Sequence, residues 1–127
     1  MEEKIKVVMV RPGKFATIEE IDRSLESYQQ IVGGYIEQLC PYDDPVAIVC
    51  NEEGKLSNLP LNRGLLHPEH GMWDIVAGTF FVCGLGEEDY CSLTEEMAAK
   101  YWVMFKHPEQ FVRSSNGIMR IVMDREY

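Results

Sequence analysis

The feature that most constrains this chain is a continuous apolar run, Val46-Ala47-Ile48-Val49-Cys50. A run of that length between turn residues fits a central strand buried on both faces. It lies inside a local unit that spans Ser24 to Gly54. Leu25, Tyr28, Ile31 and Val32 recur at helical spacing, Asp22 or Ser24 can cap that helix, and Gly33-Gly34 stops it. Tyr35 to Leu39 reads as a strand, Pro41 to Pro45 as an acidic turn, and Asn51 to Gly54 as the turn after the run. Helix, glycine break, strand, turn and strand give an α-β-β unit on which the rest can pack.

The flanks supply more strands and a second helix. Ile5 to Val10 is β-branched and ends at Pro12-Gly13, so Phe15 to Ile18 is expected to return as a hairpin partner, with Glu19 to Asp22 continuing it or leading into the helix. Lys55 to Gly71 reads as a long ordered loop whose leucines are pinned to the core, a length that leans towards function. Met72 to Leu85 returns to strand character, with Gly78 marking a bulge or a close backbone approach. Ser92-Leu93-Thr94-Glu95 forms a capping box for a helix carrying Leu93, Met97, Tyr101 and Phe105, and Pro108 ends it. After a loop rich in Ser, Asn and Gly, Ile118 to Met123 gives a last strand. The expected fold is α+β in a single domain over residues 1–127: a mainly antiparallel sheet of about five or six strands, with two helices on one face.

Composition narrows the function classes. The 127 residues suit one domain, and no apolar run approaches the roughly 18 residues of a membrane span. The N-terminus lacks the basic flank and long apolar run of a signal peptide, so a cytoplasmic protein is expected. Cys40, Cys50, Cys83 and Cys91 form no metal-ligand or CxxC pattern and read as reduced, buried thiols. A net charge of −9 opposes direct binding to nucleic acid or to anionic lipid. Clustered acid serves solubility in one reading and meets a basic partner in the other.

The blocks LESYQQIVGGYIE, DDPVAIVCNEEGKL, LPLNRGL and DIVAGTFFVCG together resemble the family catalogued as domain of unknown function 3846, over roughly residues 4 to 106. Members of that family are typical of phages, plasmids and conjugative elements. The resemblance implies a mobile-element accessory protein and carries no catalytic residues with it.

Candidate chemistry is sparse. His67-Pro68-Glu69-His70 crowds ligand-type residues but reads as an exposed loop, with no metal expected. Cys83 sits in an apolar strand, and Cys91 follows three acids, so neither makes a good nucleophile. Gly84-Leu85-Gly86 lacks the spacing and the lysine of a phosphate loop. Two sets remain. Arg11, Lys14, Asn62 and Arg63 form a cationic and polar group suited to an anionic ligand, with Tyr35, Tyr42 or Trp73 as a stacking surface. Asp43, Asp44, Glu87, Glu88 and Asp89 form the acidic face for a basic protein.

The expected function is stoichiometric binding without a cofactor, most concretely counter-defence. The chain either blocks a host defence or regulatory protein through the acidic face or sequesters its small nucleotide signal. A small hydrolase of such a signal is the alternative from a different class. A homo-oligomer is compatible with either.

Overall fold

The computed structural model describes residues 3–127; Met1 and Glu2 of the N-terminal stretch lie outside the described residues. Strands β1 (Lys4–Val10) and β2 (Thr17–Asp22) open the chain as a hairpin, followed by helix α1 (Leu25–Val32). Strands β3 (Ile36–Leu39) and β4 (Val46–Asn51) come next, then a second hairpin of β5 (Leu61–His67) and β6 (Gly71–Ala77). Strands β7 (Phe80–Leu85) and β8 (Tyr90–Cys91) precede helix α2 (Glu95–Phe105). A third hairpin, β9 (Glu109–Ser114) and β10 (Gly117–Val122), ends the order. No described helix is long and apolar enough to cross a membrane.

The main sheet runs β2-β1-β7-β4-β3, with β8 on the same edge of β7 as β1, and every pairing is antiparallel. The α+β class and the antiparallel sheet are as the sequence predicts. Side-chain alternation splits the core into two layers. Ile5, Val7, Met9, Ala47, Val49, Phe81 and Cys83 point to one face and pack with Tyr28 and Val32 of α1. Val8, Val10, Val46, Ile48, Phe80 and Val82 point to the other and pack with Ala98, Tyr101 and Phe105 of α2.

The helices therefore lie on opposite faces, not on one. Three central strands apolar on both sides need cover on both, and each fully buried side chain contributes roughly 1.5–3 kcal/mol over exposure. Helix α2 shares its face with the β5–β6 hairpin, through Leu65 and Val76.

Local chemistry explains the boundaries. Ser24 caps α1 by accepting from the Ser27 amide, and Gly33 closes it in the left-handed conformation. Of the predicted helix stripe, Leu25 is exposed while Tyr28 and Val32 are buried. Thr94, rather than Ser92, caps α2, accepting from the Met97 amide at 3.1 Å. The Ser92 hydroxyl accepts instead from the Lys6 amide of β1.

The expected loop from Lys55 to Gly71 is a turn followed by strand β5. Its polar Asn62 and Arg63 hide the alternation, because they are buried by hydrogen bonding and not by apolarity. Gly78 separates β6 from β7 at φ +82°, and a Cβ there would lie 2.7 Å from the Leu59 side chain. Strand β9 is an element that the sequence pattern does not predict.

The C-terminal segment closes against the first turn. Glu126 accepts from the Phe15 amide at 2.9 Å, and the Tyr127 amide donates to the Gly13 carbonyl at 2.9 Å. Gly13 stands at φ +75°, where a Cβ would meet the Tyr127 carbonyl at 2.6 Å.

Candidate functional site

The cationic set does not form an open site. Arg63 and Asn62 are fully buried at the start of β5. The Arg63 Nε donates to the carbonyl of Phe105, the last residue of α2, at 3.1 Å, and Nη2 donates to the Lys14 carbonyl at 2.6 Å. Its Nη1 donates to both oxygens of Asn62, whose amide nitrogen in turn bonds the carbonyls of Val10 and Gly78. The guanidinium thus supplies the positive charge that α2 lacks in its own last turn and satisfies one of its terminal carbonyls.

Burial lowers the Arg63 pKa to about 10, opposed by Glu109 and Tyr127, so the group stays charged at neutral pH. The expectation of an exposed fork at Asn62 and Arg63 is corrected: these donors are spent on backbone inside the fold. Arg11 grips Glu19 through two bonds of 2.6 and 3.1 Å. Lys14 contributes its carbonyl to Arg63 and leaves its side chain in solvent. Tyr35 is 73% exposed but leads into β3, with β7 and β4 between it and the turn that holds Arg11.

The acidic set does converge. Asp43 and Asp44 lie in the β3–β4 turn, and Glu87, Glu88 and Asp89 lie in the β7–β8 turn. Pairing of β4 with β7 sets Val46 opposite Gly84, and the Leu85 amide donates to the Pro45 carbonyl at 2.8 Å. The two turns therefore share one end of the sheet.

Within that end, Asp44 accepts from Lys100 at 2.6 Å and from the Tyr101 hydroxyl at 2.7 Å. The Lys100 bond, then the Tyr101 bond, hold its carboxyl below the ordinary range. Asp89 pairs with Arg23 at 3.0 Å. Asp43, Glu87 and Glu88 are exposed and make no ion pair among the described residues. The arrangement is a carboxylate-rich end with three side chains open to a cation or to a basic surface.

Other flagged groups take structural places. His67 to His70 forms the exposed β5–β6 turn, with the two imidazoles stacked at 4.6 Å. Burial raises the Cys50 thiol to about 12 and pushes Cys83 up further. Cys40 is exposed and Cys91 half-buried, so only Cys50 and Cys83 are the buried thiols expected of all four.

One residue of structural weight, Glu109, lies outside the sets that the sequence points to. Glu109 is almost fully buried; it accepts from the Gly64 amide at 2.8 Å, which fastens the third hairpin to β5, and from Arg120 of the same hairpin at 2.8 Å. Trp73 stands half-exposed in a cleft of about 400 Å³ with Leu61, Ile118 and Arg113. The Asn116-Gly117 pair is the turn signal that could have revealed this hairpin.

No curated protein and no solved structure matches the chain. Residues 5–106, from β1 through α2, match the family described as domain of unknown function (DUF3846), and the chain belongs to that family.

Proposed function

We propose that this protein acts by stoichiometric binding, its acidic end docking on a basic surface of another protein. One observation carries the reading. The β4–β7 register gathers two acidic turns that are far apart in sequence and leaves Asp43, Glu87 and Glu88 unpaired at their shared end. Arg23 and Lys100 hold Asp89 and Asp44 in place, so the end is anchored at its base and open at its tip.

In a mobile-element setting the fitting partner is a cytoplasmic component of host defence that handles nucleic acid. Its basic groove would accept carboxylates where it normally meets phosphates, and occupation alone would block it. Sequestration of a nucleotide signal has less support, because Arg63 and Asn62 are closed to solvent. Hydrolysis by a thiol has less support too, because burial disfavours the Cys50 and Cys83 thiolates.

The test compares wild type with the triple variant Asp43→Asn, Glu87→Gln, Glu88→Gln by native mass spectrometry in lysates at low and high salt. The expected result is a host protein held by wild type, lost by the variant, and released as the screening length falls below about 8 Å. A partner retained equally by both proteins, or unaffected by salt, sinks the acidic-end reading.

A further inference from the structure

The main sheet and the third hairpin end differently at their edges, and the hairpin's edge is built for pairing. In β9–β10, Gly117 lies opposite Ser114 and Val122 opposite Glu109, and the Met123 amide donates to the Pro108 carbonyl at 2.8 Å. Antiparallel ladders alternate hydrogen-bonded with non-hydrogen-bonded pairs. That bond therefore assigns Gly117, Met119, Ile121 and Met123 to the ladder with β9. The N–H and C=O groups of Ile118, Arg120 and Val122 point the other way, and among the described residues no strand pairs there.

The side chains along this edge are apolar on both faces. Met119 is 56% exposed and Ile121 37% on the outer face, while Ile118 is 45% exposed and Val122 50% on the inner one. Arg120 is the one charged residue of β10, and it is drawn inward to Glu109. Natural edge strands block pairing with lysines, prolines, bulges or inward-pointing charges. This one carries only the last, Arg120, and Glu109 neutralises it.

We infer that β10 pairs with β10 of a second copy of this chain, antiparallel about a two-fold axis at Arg120. That register sets every outward N–H opposite an outward C=O: Ile118 faces Val122 of the copy, and Arg120 faces its counterpart. Met119 then packs on Ile121 across the outer face. Each Arg120 keeps its own Glu109 at 2.8 Å, so the axis holds alternating charges rather than two bare guanidiniums.

A second copy brings the same open edge in the matching register, and charge selects this place for it. Two chains of net charge −9 repel over most of their surfaces. Strands β9 and β10 carry Glu109, Arg113 and Arg120, a small positive balance, so copies approach here with less repulsion than at the acidic turns. Such an interface is isologous and closes at two chains. It uses neither acidic turn, so it stands independently of the proposed docking end.

Sedimentation equilibrium and residue-resolved amide exchange test the inference on the full chain. The expected mass is twice 14.6 kDa at tens of micromolar. Amide exchange at Ile118, Arg120 and Val122 should slow as protein concentration rises, while the alternating Met119 and Ile121 amides stay protected throughout. Val122→Pro removes an outward N–H and leaves the β9 ladder intact. The pair Met119→Lys, Ile121→Lys charges the outer face instead. Both should sediment as single chains with a cooperative melt.

A wild type that sediments as one chain overturns the inference. So does a dimer that survives both variants, a dimer whose three outward amides remain fast, or growth beyond two chains.

Discussion

The β1–α2 body and the C-terminal hairpin solve the same problem in opposite ways. In the body, the outermost strands carry charge: Glu19, Glu20 and Asp22 on β2, and Glu37 with Gln38 on β3. Both faces of its sheet are covered, one by α1 and the other by α2 with β5–β6. The hairpin carries a single charge on its open strand, turns that charge inward, and leaves both faces half exposed. The body's edge strands carry charges of the kind that discourage further pairing. Glu109 fastens the hairpin to it through the Gly64 amide, while most of the hairpin's side chains face outward.

That contrast makes a graded set of expectations. The largest concerns the body. Arg63→Lys keeps the charge but loses the fork that reaches Phe105, Lys14 and Asn62 together. Urea unfolding should show a loss of about 2–3 kcal/mol, since buried carbonyls lose charged donors. A loss within 0.5 kcal/mol would mean that Arg63 is not a keystone of the body.

Glu109→Gln sits on the seam and should cost about 1–2 kcal/mol, because it weakens a charge-assisted pair. Its signature is local: amide exchange quickens in β9 and β10 while Val49 and Phe81 stay protected. Equal quickening in both regions would merge them into one cooperative unit and end the distinction.

The smallest effect is at the acidic end. The folded-state pKa of Asp44 is lowered, so its contribution is in place above the ordinary carboxylate range and is lost as pH falls through the folded value. Asp44→Asn should therefore flatten the acid limb of a stability–pH curve below about pH 4 and leave its slope near neutrality unchanged. An unaltered acid limb would show that Lys100 and Tyr101 do not hold this carboxylate in solution.

Much of the body is legible in the amino-acid order because its signals are local. The run Val46 to Cys50 announces burial on both faces, and followed through it also requires helices on both sides. Two helices on one face would leave the other face uncovered. Strand β5 was hidden because Asn62 and Arg63 enter the interior by satisfying carbonyls, which hydrophobic periodicity does not register. Strand β9 was hidden because Gln110, Arg113 and Ser114 dilute its apolar content.

The acidic residues were plain as composition. Their convergence was not, since it depends on the pairing of Val46 with Gly84, a long-range register that no local pattern encodes. The cationic set failed for the converse reason. Proximity between Arg63 and the Lys14 turn is real, but it closes the site rather than opening one.

The seat of Glu126 and Tyr127 on the turn around Gly13 has a consequence for the time course of synthesis. Phe15 waits for an acceptor 111 residues further along the chain. At a translation rate of roughly 5–20 residues per second, that delay is on the order of ten seconds. Through that interval the turn of the opening hairpin stays unlatched, and for the earlier part of it β1 also lacks β7. The contacts that seat this turn can form only once Glu126 and Tyr127 have been made.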